Sequence, residues 1–242
     1  MIATEGSGIQ DCTVNAGDGL TGIEGGAGSG GMHANITVLG GKYGLDLRQT
    51  QPVPTIAGVT LIGQRDAAIL YDGRQSLSAV GVKIVADHPG PMIRNVKPYF
   101  CDGMICLIDS EIIFNQPGGT ALDMQRPLVL ENVYVRGAKW IVTNADGDNL
   151  AGNPNGWMRV RRYAHRADPP VWNAGGKQRQ FRCPIHVDRK ELPAGQDVCE
   201  AQKDVAPPVD LVSRHVWGDT FPGWQSPGAV SVKDAPTEVQ NL

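Results

Sequence analysis

The stretch AGVTLIG at positions 57–63 alternates branched apolar residues with small or polar ones, and the chain returns to it. ANITVLG stands at 34–40, VGVKIVA at 80–86 and ENVYVRG at 131–137. Alternation with a period of two is the signature of a strand with one buried face. Aligning the copies puts the first inward residue at Cys12, Ile36, Val59, Val82, Ser110 and Val133, with intervals of 24, 23, 23, 28 and 23. Two positions on, the second inward residue is Val14, Val38, Leu61, Ile84, Ile112 and Val135. Recurrence at 20–30 residues is the mark of a solenoid.

Each interval holds a second apolar patch: Ile23, GLDL at 44–47, AAILY at 67–71, PMIR at 91–94, TALDM at 120–124 and KWIVT at 139–143. A third often precedes the phrase, as in TIA at 55–57, ICLI at 105–108, LVL at 128–130 and WMRV at 157–160. Three short strands per turn, with Gly, Asn or Asp corners, describe an all-β fold: a single-stranded right-handed parallel β-helix of about six to seven coils. A leucine-rich repeat would need a Leu-rich consensus, which is missing. A β-sandwich would show hairpin turns and no fixed long interval.

The pattern stops near residue 163, so the expected division is a β-helix over 1–163 and a Pro/Gly-rich C-terminal extended arm or linker over 164–242, packed on the helix. All five tryptophans lie in or after the last coil, at 140, 157, 172, 217 and 224, where they would anchor the arm.

Composition narrows the function. The 242 residues carry a net charge of −3, which offers no basic field for a phosphate backbone, so no nucleic-acid partner is expected. No apolar run approaches the roughly 20 residues of a membrane span. The opening MIATEGSGIQD has no basic and apolar leader pattern. Of five cysteines, Cys12, Cys101 and Cys106 have apolar neighbours and are expected in the core, while Cys183 and Cys199 are candidates for a disulfide.

GIQDCTVNAGDGLTGIEGG, LIDSEI, GGTALDM, LENVYVRG and GWMRVRRYAH together resemble the pectate-lyase-like β-helix superfamily. Within it they look most like the tandem β-helix proteins related to glycoside hydrolase family 55. The tail SRHVWGDTFPGWQSPGAVSVKDAP resembles the segment that leads into a second helix there. The likeness covers roughly residues 6–236 and implies a secreted, carbohydrate-active protein with a polysaccharide or oligosaccharide as partner. Family members begin with a Gly-Asp-Gly segment and a capping helix and continue into a second β-helix. The expectation is therefore either a homo-oligomer formed on the open first coil or a second domain outside this chain.

Glycoside hydrolysis requires two carboxyl groups roughly 5–10 Å apart, or one to two rungs of a β-helix. Asp72, Asp102 and Asp123, each following the second patch, are the expected catalytic column. Asp46 is three coils from Asp123, too far to pair with it. Arg94 and Arg126 lie near the column as substrate-binding candidates, and Trp172 and Trp224 could stack on sugar rings. The competing explanation is ordinary: Asp-Gly at 72–73 and 102–103 is a standard corner. The expected function is a glucan-type glycoside hydrolase or a fragment of one. The alternatives are a non-catalytic scaffold or glycan-binding module, and a polysaccharide lyase.

No cofactor or metal is expected. NADGDN at 144–149 spaces Asn144, Asp146 and Asp148 like a calcium loop but lacks the sixth-position Gly and twelfth-position Glu. The histidines at 33, 88, 165, 186 and 215 show no close-spaced pair, and GAGSGG at 26–31 has no following Lys for phosphate.

Overall fold

A computed structural model describes residues 6–28, 30–48, 55–73, 75–95, 104–124, 127–144, 147, 149–165 and 198–216, with short strand backbones between 170 and 191. Each coil contributes one strand to each of two sheets. The first three coils are β1 (Gln10–Gly17) and β2 (Thr21–Glu24), β3 (His33–Gly40) and β4 (Tyr43–Leu47), β5 (Thr55–Ile62) and β6 (Ala67–Tyr71). The next three are β7 (Leu77–Ala86) and β8 (Ile93–Asn95), β9 (Ile105–Phe114) and β10 (Gly119–Met124), β11 (Leu128–Arg136) and β12 (Ala138–Asn144). All odd strands to β11 pair in parallel in sequence order, as do all even strands to β12. These six rungs wind into a parallel β-helix of about 5 turns, slightly fewer than the six to seven coils that the repeat suggests.

The predicted inward columns stack as expected. Cys12, Ile36, Val59 and Val82 are successive register partners, as are Val14, Val38, Leu61, Ile84, Ile112 and Val135. From Ile36 onward the column residues are almost completely buried, and they belong to one continuous core. Burying each such side chain is worth about 1.5–3 kcal/mol. Ser110 is the polar member of the first column. Its Oγ accepts the Val82 N–H at 3.0 Å and donates to the Ile108 carbonyl at 2.7 Å, so its burial leaves no polar atom stranded.

Three strands per turn is corrected to two. The third patch and the repeated phrase are one strand with a bend in it. At the bend sits a residue of positive φ in every coil: Asp11, Asn35, Gly58, Gly81, Asp109 and Asn132. These six stand in line across the first sheet, one before each first-column residue. Glycine adopts this conformation freely, and Asn and Asp tolerate it through local hydrogen bonds. Where neighbours are Asp and Asn they bond across the rung: Asn35 Nδ2 donates to Asp11 at 2.7 Å and Asn132 Nδ2 to Asp109 at 2.6 Å.

Parallel winding ends at β13 (Leu150–Ala151), antiparallel to β12, and β14 (Trp157–His165), antiparallel to β11. Met158, Val160 and Tyr163 of β14 close the last coil. Beyond it, β15 (Pro170–Trp172) pairs with β16 (Gln178–Gln180), and β17 (His186–Val187) with β18 (Lys190–Glu191). Finally β19 (Val198–Lys203) joins the first sheet beside β14. Residues 204–216 then return over the outside of that sheet as a strap. It ends in a short 3-10 turn, Ser213–His215, against β5 and β7. Cys12 and Cys106 are free and partly buried, and burial pushes the Cys106 thiol up. Cys199 is exposed on β19, and Cys101 and Cys183 lie outside the described residues.

Candidate functional site

Two surfaces gather polar chemistry. The first is the outward side of the even-numbered sheet. Its register column runs Glu24, Asp46, Leu70, Arg94, Asp123 and Thr143. Side chains alternate along a strand, and Ile23, Leu45, Ile69, Ile93, Leu122 and Val142 fill the core, so this column lies on the opposite side of the sheet. Asp46 and Leu70 are nevertheless buried there, and Leu70 clusters with Tyr43 and Ala67. Asp123 and Arg94 sit directly opposite each other on adjacent rungs. Thr143 Oγ1 donates to Asp123 at 3.0 Å, and Arg94 reaches Asp66 at 3.2 Å. Asp46 is nearly buried and is held bidentately by Arg48, whose Nε donates at 2.8 Å. Hydrogen bonding to Asp46 holds the Arg48 guanidinium above its usual range, and the charge of Asp72 adds to this.

Asp72 therefore lies within the field of Arg48, but it does not share the Asp123 column. The register partner of Arg94 on β6 is Leu70, two residues before Asp72. From rung and residue spacing, the Asp72 and Asp123 backbones are roughly 12 Å apart. The expected straight ladder is thus displaced at its first member. Counting back from the next inward residue assumes equal loops, and the loops differ. Asp102, Arg126 and Trp224 lie outside the described residues, as do Asp146 and Asp148. For Trp172 the backbone alone is described, within β15. Trp140 and Trp157, both half-buried, carry Lys139 and Arg136 over their rings at 5.6 and 5.7 Å. Among the described residues no group of three metal-ligating side chains converges, and no helix is long and apolar enough to cross a membrane.

The second surface is the bend of the first sheet beneath the strap, and sequence reading missed it. Gly58 and Gly81 leave a bare strip of backbone there. A Cβ on Gly58 would lie 2.4 Å from Val216 Cγ2, and one on Gly81 2.8 Å from His215 Cβ, so both positions need glycine for contact as well as for φ. On the next rung, Asp109 accepts from His215 Nε2 at 3.0 Å, Arg214 at 2.9 Å and Asn132. Burial alone would raise the Asp109 carboxyl. The hydrogen bonds from Asn132 and His215 and the charge of Arg214 outweigh it and hold the group below the usual carboxylate range. Asn132 Oδ1 in turn accepts from Arg159, which stacks 5.6 Å from the Tyr134 ring centre.

Between strap and sheet lies a cleft of about 500 Å³. Its floor includes Asn35, Thr37, Thr60 and the ion pair Lys83–Glu111 at 2.7 Å. The available signal was the residue immediately before each first inward position, which is Asp, Asn or Gly in every copy. Its contact with His215, 106 residues away from Asp109, had no local signature. No protein-family model matches the chain, and no curated protein is significantly similar to it.

Proposed function

We propose that the chain is a carbohydrate-active β-helix of glycoside hydrolase type, acting on an extracellular polysaccharide along the outward side of the even-numbered sheet. The single observation that supports this reading is the pairing of Asp123 directly opposite Arg94 on adjacent rungs, in a column that also holds Glu24 and Asp46 but is interrupted by the buried Leu70. A polymer laid along the helix axis at this point would meet Arg94 and Asp123 on adjacent rungs, about 4.8 Å apart. Asp102, paired with Asp123 or with Asp72, would supply acid and base, and Arg94 and Arg126 would orient the sugar. The resemblance to glycoside hydrolase family 55 belongs with this proposal.

A second reading, a glycan-binding scaffold without catalysis, is favoured by a specific observation. Asp46, Asp66 and Asp123 are each already engaged by Arg48, Arg94 and Thr143. Reducing-sugar release from β-glucans and pectins, measured for the chain and for Asp123→Asn, Asp102→Asn and Asp72→Asn, separates the two. Loss of a general acid or base should slow hydrolysis by about 10²–10⁴-fold. Absence of any cut substrate, or full activity in all three variants, rejects the hydrolase.

A further inference from the structure

We propose that the cleft between the 204–216 strap and the bend of the first sheet is a second saccharide site, selective for a neutral oligosaccharide and separate from the charged face of the other sheet. Its assignment to sugar as a class rests on the function proposed above. Its location and its preference for uncharged ligands rest on the cleft itself.

The floor is hydroxylic and periodic. Thr37 and Thr60 are register partners, so their side chains repeat at the rung spacing of about 4.8 Å, with the Asn35 amide beside them. The roof, which the strap makes, is mainly apolar, formed by Pro208, Leu211, Val212 and Val216, with Ser213 as its polar member and Val209 fully exposed. A sugar ring has the same two-sided character, with hydroxyls at its rim and C–H groups on its faces. The volume of about 500 Å³ falls in the range of small-molecule sites, roughly 300–1,000 Å³.

Charge decides between ligand classes. Lys83, the cation of the cleft, is ion-paired with Glu111, which is nearly buried. The strap's Arg214 and His215 are both turned to Asp109. The charges around the cleft are therefore matched internally. A uronate or phosphate would have to break one of these pairs to be recognised, whereas a neutral hydroxylated ligand can bond to their outer lone pairs and protons without displacing them. The roof is also fixed in place before any ligand arrives. Leu211 is 1% exposed, the glycine slot holds His215 and Val216, and Asp109 holds the turn. Such preorganisation lowers the ordering cost of binding.

Amide hydrogen exchange on the full chain tests this with three probes: neutral β-glucan tetrasaccharides of two linkages, and a uronate tetrasaccharide. We expect at least one neutral probe to slow exchange in 208–216 and in β3 and β5, and the uronate to leave them unchanged. In Thr37→Val/Thr60→Val, which keeps side-chain shape and strand propensity, the protection should vanish and the Kd rise at least ten-fold with unchanged melting. Arg214→Ala, which frees one side of the latch, should weaken binding without touching the floor. Protection elsewhere only, equal protection by the uronate, or undiminished affinity in the threonine double variant overturns the proposal. If hydrolysis assays fail while this protection stands, the catalytic reading falls and the cleft remains a sugar site. If hydrolysis stands and the cleft shows no protection, this inference alone falls.

Discussion

Along the bend of the first sheet the residues run Asp11, Asn35, Gly58, Gly81, Asp109, Asn132. Along the outward column of the second they run Glu24, Asp46, Leu70, Arg94, Asp123, Thr143. The first series draws on three residue types because the backbone there is left-handed, and other side chains pay a steric cost in that conformation. The second mixes acids, a base, a hydroxyl and an apolar residue because an extended backbone makes no such steric demand, and Leu70, the apolar member, is buried beside Tyr43 and Ala67. The bend is thus conserved in character from coil to coil by stereochemistry. The outward column is where chemistry can differ from one rung to the next. That contrast is the physical reason for proposing catalysis on the second sheet, while the strap docks on the first.

The comparison can be broken by striking the core the two surfaces share. Leu61→Ala removes buried methyl groups from the stacked column and should cost about 3 kcal/mol by urea denaturation, with loss at both surfaces together. A loss confined to one surface would mean that the sheets fold independently. The next effect separates them. Gly81→Ala places a Cβ in the left-handed region, costing about 1–2 kcal/mol, and against His215. Trypsin should then cut after Arg214 faster than in the parent chain, while the second sheet keeps its properties. Equal cutting rates would show that the glycine slot does not hold the strap.

A smaller effect concerns acid. Asp109 has its folded pKa depressed by Asn132, His215 and Arg214. Its contribution to stability is therefore fully present above the unfolded carboxylate value and is lost as pH falls through the folded one. Amide exchange in 208–216, corrected for intrinsic rates, should accelerate at the acid end of a titration downward from pH 6, and Asp109→Asn should flatten that dependence. The smallest stability change belongs to the other surface. Asp123→Asn keeps the Thr143 bond and should alter stability by less than about 0.5 kcal/mol, whatever it does to hydrolysis.

How far the sequence carried is explained by which interactions are local. Ile36, Val59 and Val82 were legible as a stack because alternation fixes which face each takes and the interval fixes which coil. The number of strands per coil, two and not three, is not legible in the same way. Apolar patches on either side of an Asp, Asn or Gly look separated in sequence, while the chain merely bends there without losing its ladder. Asp123 and Arg94 were both singled out, and their direct opposition follows from register. Asp72 was set in line with them by counting across a loop, where spacing carries no register, and it falls two residues off. The strap was beyond reach because Asp109 and His215 share no pattern, only a position in space.

Six coils repeat one bend, yet only two of them, at 58 and 81, expose naked peptide instead of a side chain. The returning tail consequently has a single berth: moved one rung either way, it would ride up on Asn35 or collide with Asp109. A repeating scaffold, which by construction looks alike at every step, has in this way been given a unique address by leaving two side chains out.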